Sequence, residues 1–268
     1  MTNKNTLGCL PWVGEFGWEL CWWNPMARYY AKQYDHTTVA APASSRYLYE
    51  FADTFIPLQT KGITFWRGEL KGDPPVISAD SYLNPAKEFA KYPNEPERVS
   101  TPRKWRSLAP ENPIYQADIL CAFRSVKYIK NRKIPGKEYP VDKCQDLVSM
   151  LIDLGLTVAC YGGTDNYCPN GAIDLRGQPL EGQCSAIVAA KCVVGPSSGP
   201  IHLASLCGCP HVTWIASIHH TLEKRYTKLW NPFETPVRFI DHSRIPQPSE
   251  VIRHIMDLVN ITKRKELI

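Results

Sequence analysis

Residues 195–210 read GPSSGPIHLASLCGCP, and they place Ser197, Ser198, Gly199 and His202 between an apolar run, CVVGP, and a run of small residues. Pro200 suits the first position of a helix, and Ser198 or Gly199 suits its cap. A helix opened in this way leaves backbone N–H groups unpaired at the C-terminal end of the preceding strand. Together with the helix dipole they favour an anion, above all a phosphate. Glycine lets the backbone approach that anion closely, and the serine hydroxyls add donors. The plainer alternative is an ordinary capped helix with His202 packed in its first turn.

The elements around this stretch predict an α/β protein. TLGCL, TTVAAP and FIPLQ read as strands in the first third of the chain, with ITFWRG as a further short candidate. WELCWWNPMARYYAKQY reads as a helix that Pro25 kinks or restarts, and SSRYLYEFA as a helix opened by a serine cap. Residues 72–113 are proline-rich and mark the boundary region. From Asp118 onward the pattern is regular. ILCAF is a strand, and VDKCQDLVSMLIDLG is a helix with an Asp cap that stops at Gly155. LTVACYGG is a strand and AIDLRG a short strand. EGQCSAIVAAK is a helix, CVVGP a strand, IHLASLCG a helix and HVTWIA a strand. This alternation implies βαβ units and a parallel sheet. SEVIRHIMDLVN is an amphipathic helix expected to pack back across the molecule.

Composition narrows the class. The hydrophobic fraction of 44% allows a real core. No run approaches the roughly 18–20 apolar residues that span a bilayer, and the N-terminus lacks the core of a secretory signal, so a cytoplasmic location is expected. Ten cysteines without a CxxC pair are expected as free thiols. A zinc cluster from Cys160, Cys168, Cys207, Cys209 and His211 is the alternative. The net charge of +5 is unevenly spread. Arg98 to Lys137 holds ten Lys/Arg against Glu111 and Asp118, which is +8 and leaves −3 for the rest. Such a segment is either a solvated connector or a basic surface for a polyanion or diphosphate.

The stretch DLRGQPLEGQCSAIVAAKCVVGPSSGPIHLASLCGCPHVTWIA resembles the C-terminal domain of the heptosyltransferase-like family of glycosyltransferases. The matching positions are Asp174, Leu175, Gly177, Val193, Val194, Gly195, Ser198, Gly199, Pro200, His202, Ala204, Gly208 and Pro210. KEYP (Lys137 to Pro140), the helix after it and GLTVACYGG are similar to the family's upstream run, so the resemblance covers Ile119 to Ala216. It implies a glycosyltransferase-B-like fold, with two Rossmann-like domains facing a cleft and the N-terminal one reduced. The domains would be 1–115 on the acceptor side, 116–248 binding a nucleotide sugar, and a C-terminal helix over 249–268. The resemblance assigns Ser197, Ser198, Gly199 and His202 to the diphosphate, with Lys137 neutralising it. Gly162 and Gly163 would line the nucleoside pocket, and Arg124 would be a second phosphate ligand. No DxD motif is present, so neither a metal nor another cofactor is expected.

The family's catalytic base is an acidic residue in a Gly-rich turn near the N-terminus. GEFGWELCWWNP offers Glu15, directly after Gly14, and Glu19, six residues before Pro25. Either could take a proton from an acceptor hydroxyl in an inverting transfer, and Glu15 ranks first. The plainer role for each is a helix-start carboxylate. The family's usual acceptor, a lipopolysaccharide-type sugar, is the alternative. The first reading is DNA, such as a hydroxymethylated base in a viral genome, supported chiefly by the +8 segment, and the chain would be a viral DNA-modifying member. Arg103, Lys104 and Arg106 would then contact phosphates and Trp18 would stack on the extruded base. Trp22 and Trp23 fit a core as well as a stacking surface. His219 and His220 could reach the nucleotide, although paired surface histidines are the plainer reading. Two other classes fit the same features: a non-catalytic nucleotide-sugar or nucleic-acid binding module, and a hydrolase that releases sugar from a nucleotide.

Overall fold

TLGC, an apolar run with little room for a helix, forms β1 (Thr6–Cys9), whose last three residues are buried. A computed structural model describes residues 5–12, 14–58, 60–61, 69–70, 76–92, 95–124, 138–216, 223, 226, 229–242 and 244–266. The chain divides into two units, Met1–Arg106 and Ser107–Ile268.

In the first unit β1 lies between β2 (His36–Pro42) and a later strand, and β3 (Thr54–Leu58) pairs beyond β2. Two short strands, β4 (Thr60–Lys61) and β5 (Glu69–Leu70), form an antiparallel pair. β6 (Ser81–Leu83) completes a parallel sheet of order β3-β2-β1-β6, in which Leu7 is in register with Thr37 and Ser81. The ITFWRG candidate lies outside the described residues. The proline-rich stretch contributes α3 (Pro85–Lys91) and α4 (Glu95–Ser100).

The helix after β1 is restarted, as the proline implies. It runs as α1 (Phe16–Trp18), a π-helical turn (Glu19–Trp23) and α2 (Asn24–Ala31). Asn24 N–H reaches back five residues to Glu19 O. Pro25, with no N–H, leaves the Cys21 carbonyl without its usual helical donor. SSRYLYEFA departs from expectation. It forms a 3-10 helix (Ala43–Tyr49) with Pro42 at its N-cap, and no side chain caps it. Ser45 is buried within that helix instead.

Among the described residues the second unit holds six parallel strands in the order β12-β11-β10-β7-β8-β9. They are β7 (Ile119–Cys121), β8 (Val158–Cys160), β9 (Ile173–Asp174), β10 (Cys192–Pro196), β11 (His211–Ala216) and β12 (Val237–His242). The last of these carries no clear signal in the sequence. The helices described over their full length are α5 (Val141–Asp153), α6 (Leu180–Ala189), α7 (Gly199–Cys207) and α8 (Pro248–Glu266). Pro140 occupies the N-cap of α5, and Asp142, expected as the cap, sits in its first turn. Cys144, Leu147, Val148 and Leu151 of α5 meet Val251, Ile252, Ile255 and Leu258 of α8 in the core under the sheet. The C-terminal helix therefore packs within the second unit.

From β7 the chain builds outward through β8 and β9, then returns to the other side of β7 with β10. That reversal is a topological switch point, where open α/β sheets bind ligands beyond the strands' C-terminal ends. The ten cysteines are free thiols. Among the described residues no helix is long and apolar enough to cross a membrane.

Candidate functional site

In the second unit the mouth of α7 stands at the switch point. Ser198 is its N-cap with extended backbone, and its side chain makes no capping bond. The first helical bond runs from His202 N to Ser198 O at 3.1 Å. The N–H groups of Ser198, Gly199 and Ile201 therefore lie ahead of the helix's own ladder, as the opening residues of any helix do. Ser197 N is used up on Trp214 O at 2.8 Å, which fixes the turn to β11. Ser197, Ser198 and Gly199 are all buried.

The loop after β8 reaches the same point. Tyr161 Oη donates to Pro200 O over 2.7 Å, a buried bond that ties the end of β8 to the first turn of α7. Gly162 has φ +106°, and a Cβ there would stand 2.3 Å from Asn166 Nδ2 and 3.5 Å from Pro200 Cγ. Only glycine fits that backbone without displacing Asn166. Asn166 Nδ2 donates to Tyr161 O at 3.1 Å and Asn166 N to Gly163 O at 3.0 Å, closing the loop on itself. Arg124, three residues past β7, belongs to the loop of the strand between them. The expected donor residues Arg124, Gly162, Gly163, Ser197, Ser198 and Gly199 thus follow three adjacent strands. The sequence reading does not single out Tyr161, which ties the loop after β8 to α7, or Asn166, which closes that loop on itself. The Gly-Gly-x-x-Asn spacing was their only signal.

His202 sits differently. Its ring lies against Trp230, with centroids 4.7 Å apart, and Tyr226, at 5.3 Å. That is the packed first-turn histidine of the plainer reading. His211, a member of the alternative zinc set, spends both ring nitrogens inside the unit. Nδ1 is 3.0 Å from Cys209 O and Nε2 is 2.6 Å from Tyr226 Oη. Burial lowers its pKa to about 4, against the raising effect of the Cys209 carbonyl, so it is neutral at pH 7. Among the described residues no cluster of His, Cys, Asp or Glu is arranged to hold a metal. Lys137, His219 and His220 lie outside the described residues.

In the first unit, the turn after β1 holds Glu15 in place through its backbone. The Glu15 carbonyl accepts from Trp12 Nε1 at 3.0 Å, Trp18 N at 3.0 Å and Glu19 N at 3.2 Å. Trp12 folds so closely over Gly14 that a Cβ there would meet its ring at 2.4 Å. Gly14, Glu15, Gly17 and Trp18 are partly exposed. Glu19 is the reverse: 2% exposed, on the π-helical turn, accepting from Tyr49 Oη at 2.9 Å. Desolvation raises its pKa to about 7, opposed by hydrogen bonds from Tyr49 and Ser45. Trp22 and Trp23 are core residues. Trp18 packs beside Phe89 and under the Arg98 guanidinium, 5.1 Å from the ring centroid.

Arg103 and Lys104 bond to the restarted helix, and Arg106 to the 3-10 helix after β2 and the Glu50 that follows it. Arg103 Nη1 donates to Cys21 O at 3.3 Å, the carbonyl whose i+4 donor is missing because residue 25 is proline. Lys104 N donates to Pro25 O at 2.8 Å. Arg106 pairs with Glu50 at 2.6 Å, and Glu50 also takes the Arg28 guanidinium. Contact with the Lys32 ammonium, then desolvation and the charges of Lys32 and Arg28, lower the pKa of Lys104. The two arginines thus have structural partners, and the side chains of Lys104 and Lys32 lie close together.

Comparison with solved structures identifies the fold. The chain is similar to the E. coli ADP-heptose lps heptosyltransferase II (13% identity, TM-score 0.58), covering 97% of this chain and 99% of that one. It is similar to a family 9 glycosyl transferase from Veillonella parvula (13% identity, TM-score 0.59), covering 95% and 97%. A third similar structure is the dodecameric iron-containing heptosyltransferase TibC in complex with ADP-D-β-D-heptose (16% identity, TM-score 0.54), with 92% and 65% covered. The fold is the α/β, parallel-sheet, glycosyltransferase-B type of these proteins. No family model matches the chain, and no curated protein matches it in sequence.

Proposed function

We propose that this protein is a glycosyltransferase of the heptosyltransferase-like group, moving a sugar from a nucleotide-sugar donor to an acceptor hydroxyl with inversion. The observation that carries this reading is the meeting of Tyr161, Gly162 and Pro200 beside the α7 mouth. It joins a conformationally demanding glycine loop to a helix N-terminus at a switch point, the combination suited to a nucleoside and its diphosphate. Ser197, Ser198 and Gly199 would hold the diphosphate, Arg124 and Lys137 would offset its charge, and Gly162 and Gly163 would border the nucleoside. His202 would support the turn from behind.

In the reaction the acceptor oxygen forms a bond to the anomeric carbon as the bond from that carbon to the diphosphate oxygen breaks. The nucleoside diphosphate leaves with the electron pair, and the acceptor proton passes to a carboxylate. Glu15 is the better base, because a base must touch the acceptor and Glu19 is enclosed by Tyr49 and Ser45. Trp18, partly exposed in the same turn, would contact the acceptor. The absence of a DxD sequence favours a metal-independent reaction.

A saccharide acceptor fits best, since Arg103 and Arg106 are engaged within their own unit. DNA, including a hydroxymethylated viral base, is the second reading, and the adjacent Lys32 and Lys104 favour it. The test is a panel of sugar nucleotides, with chelator present, scored for thermal stabilisation and then for transfer to saccharides and modified DNA. Stabilisation by one donor and chelator-insensitive transfer is expected. No stabilisation by any donor would end the glycosyltransferase reading.

A further inference from the structure

We infer that Arg176 is a positioning residue for the donor site, bracing the Gly162–Asn166 loop from the side of β9. Its guanidinium is a two-sided clamp. On one side Nε and Nη2 grip the Asp174 carboxylate at 2.8 and 2.7 Å, and Arg176 N adds a third bond to Asp174 Oδ1 at 3.0 Å. On the other side Nη1 donates to Asn166 O. Asn166 is the residue whose side chain fills the space that Gly162 leaves open. Next to the clamp, Gly177 N donates to Gly162 O at 2.8 Å. Arg176 and Gly177 together therefore hold both ends of the Gly162–Asn166 loop.

An exposed Arg–Asp pair alone would contribute little to stability. Here the pair does something else: the bidentate grip of Asp174 removes the guanidinium's rotational freedom, so that the remaining N–H meets a single backbone carbonyl. Side-chain accessibility of 26% for Arg176 and 50% for Asp174 places the clamp at the surface, outside the buried α7 mouth. Arg176 would thus act on the donor through the loop, without touching it. Lysine could not replace it, because an ammonium lacks the fork that grips and donates at once.

This inference rests on the donor-site reading, and the experiment separates the two. Amide hydrogen exchange over residues 162–167 would be measured in the full chain without ligand, for the parent, R176A, R176K and D174N. ADP, UDP and GDP affinities and melting temperatures would be taken on the same samples. Loss of one charge-assisted bond predicts about tenfold faster exchange in R176A. A weakening of similar size is expected for whichever nucleotide the parent binds, with donor KM raised, kcat held and melting barely changed. R176K should resemble R176A, and D174N should fall between them and the parent. Unchanged exchange in R176A, or parent-like behaviour of R176K, would overturn the brace. Faster exchange with unaltered nucleotide affinity would overturn its link to the donor. A parent that binds none of the three nucleotides would count against the donor-site reading, while the exchange measurement would still decide the brace.

Discussion

Tyr49 donates a hydrogen bond to Glu19 over 2.9 Å inside the first unit, joining the 3-10 helix that follows β2 to the π-helical turn that follows β1. Glu15, four residues earlier, stands partly exposed on the turn, with its carbonyl gripped by three donors. Two glutamates that both suit the catalytic base in sequence have therefore been given different surroundings. One carboxyl is enclosed, with its pKa raised by burial, while the other belongs to a partly exposed residue.

That difference separates them by mutation. Glu15→Gln should lower turnover by about 10²–10⁴-fold, the usual loss on removing a general base, with donor affinity nearly intact. Glu19→Gln keeps an acceptor for the Tyr49 hydroxyl and should retain most of the turnover. Steady-state kinetics beside a binding titration would check both. The opposite ranking, with Glu19→Gln inactive and Glu15→Gln active, would return the base to Glu19.

Glu19 also carries a pH signature. Its folded pKa, about 7, lies above the ordinary value of 4.5. Between these values the folded state keeps a proton that the unfolded state has lost, so this group's contribution is fully present below about 4.5 and lost as pH rises through 7. His211 acts with the opposite sign, its pKa of about 4 lying below 6.5. Its contribution is present above 6.5 and lost as pH falls through 4. Over the shared window the two slopes oppose each other. In Glu19→Gln stability should rise with pH from about 4 to 6.5 more steeply than in the parent, as read from denaturant midpoints at several pH values.

Gly162→Ala should cost on the order of 1–3 kcal/mol through its backbone conformation, and the new methyl would also press on Asn166. Gly155→Ala is the control. It carries comparable strain at φ +77° with nothing within 4 Å, at the end of α5. Both should melt earlier, but only Gly162→Ala should weaken nucleoside-diphosphate binding. Equal affinities in a calorimetric titration would remove Gly162 from the donor site.

The basic residues along the restarted helix should divide by role. Arg103→Ala leaves the Cys21 carbonyl without its guanidinium donor and should destabilise the fold by about 1–3 kcal/mol. Lys32→Ala with Lys104→Ala should leave stability almost unchanged. If DNA is the acceptor, these two lysines would give a log–log salt slope of about −2, at roughly −0.9 for each phosphate contact on duplex, and the double variant would flatten it. A salt titration with modified DNA reads this directly, and an initially flat curve would favour the saccharide.

The alternation of apolar and small-residue runs determined the α/β class on its own, because strand and helix periods are local properties of the chain. CVVGP followed by SSGPIHLAS likewise specified the β10–α7 turn: Pro200 suits the start of a helix, and Gly199 allows a close approach. Tertiary structure alone decided what depended on partners distant in sequence. Glu15 and Glu19 differ because Tyr49 and Ser45, about thirty residues away, enclose only one of them. Arg103 reads as one more cation in a basic segment until the fold brings it to the Cys21 carbonyl, 82 residues away. His202, a ligand candidate by spacing, is packed against Trp230 and Tyr226, which no local pattern brings near. Period and turn chemistry are written residue by residue. Burial and pairing arise only when the chain folds back on itself, and in this protein they distinguish the partly exposed Glu15 from the enclosed Glu19.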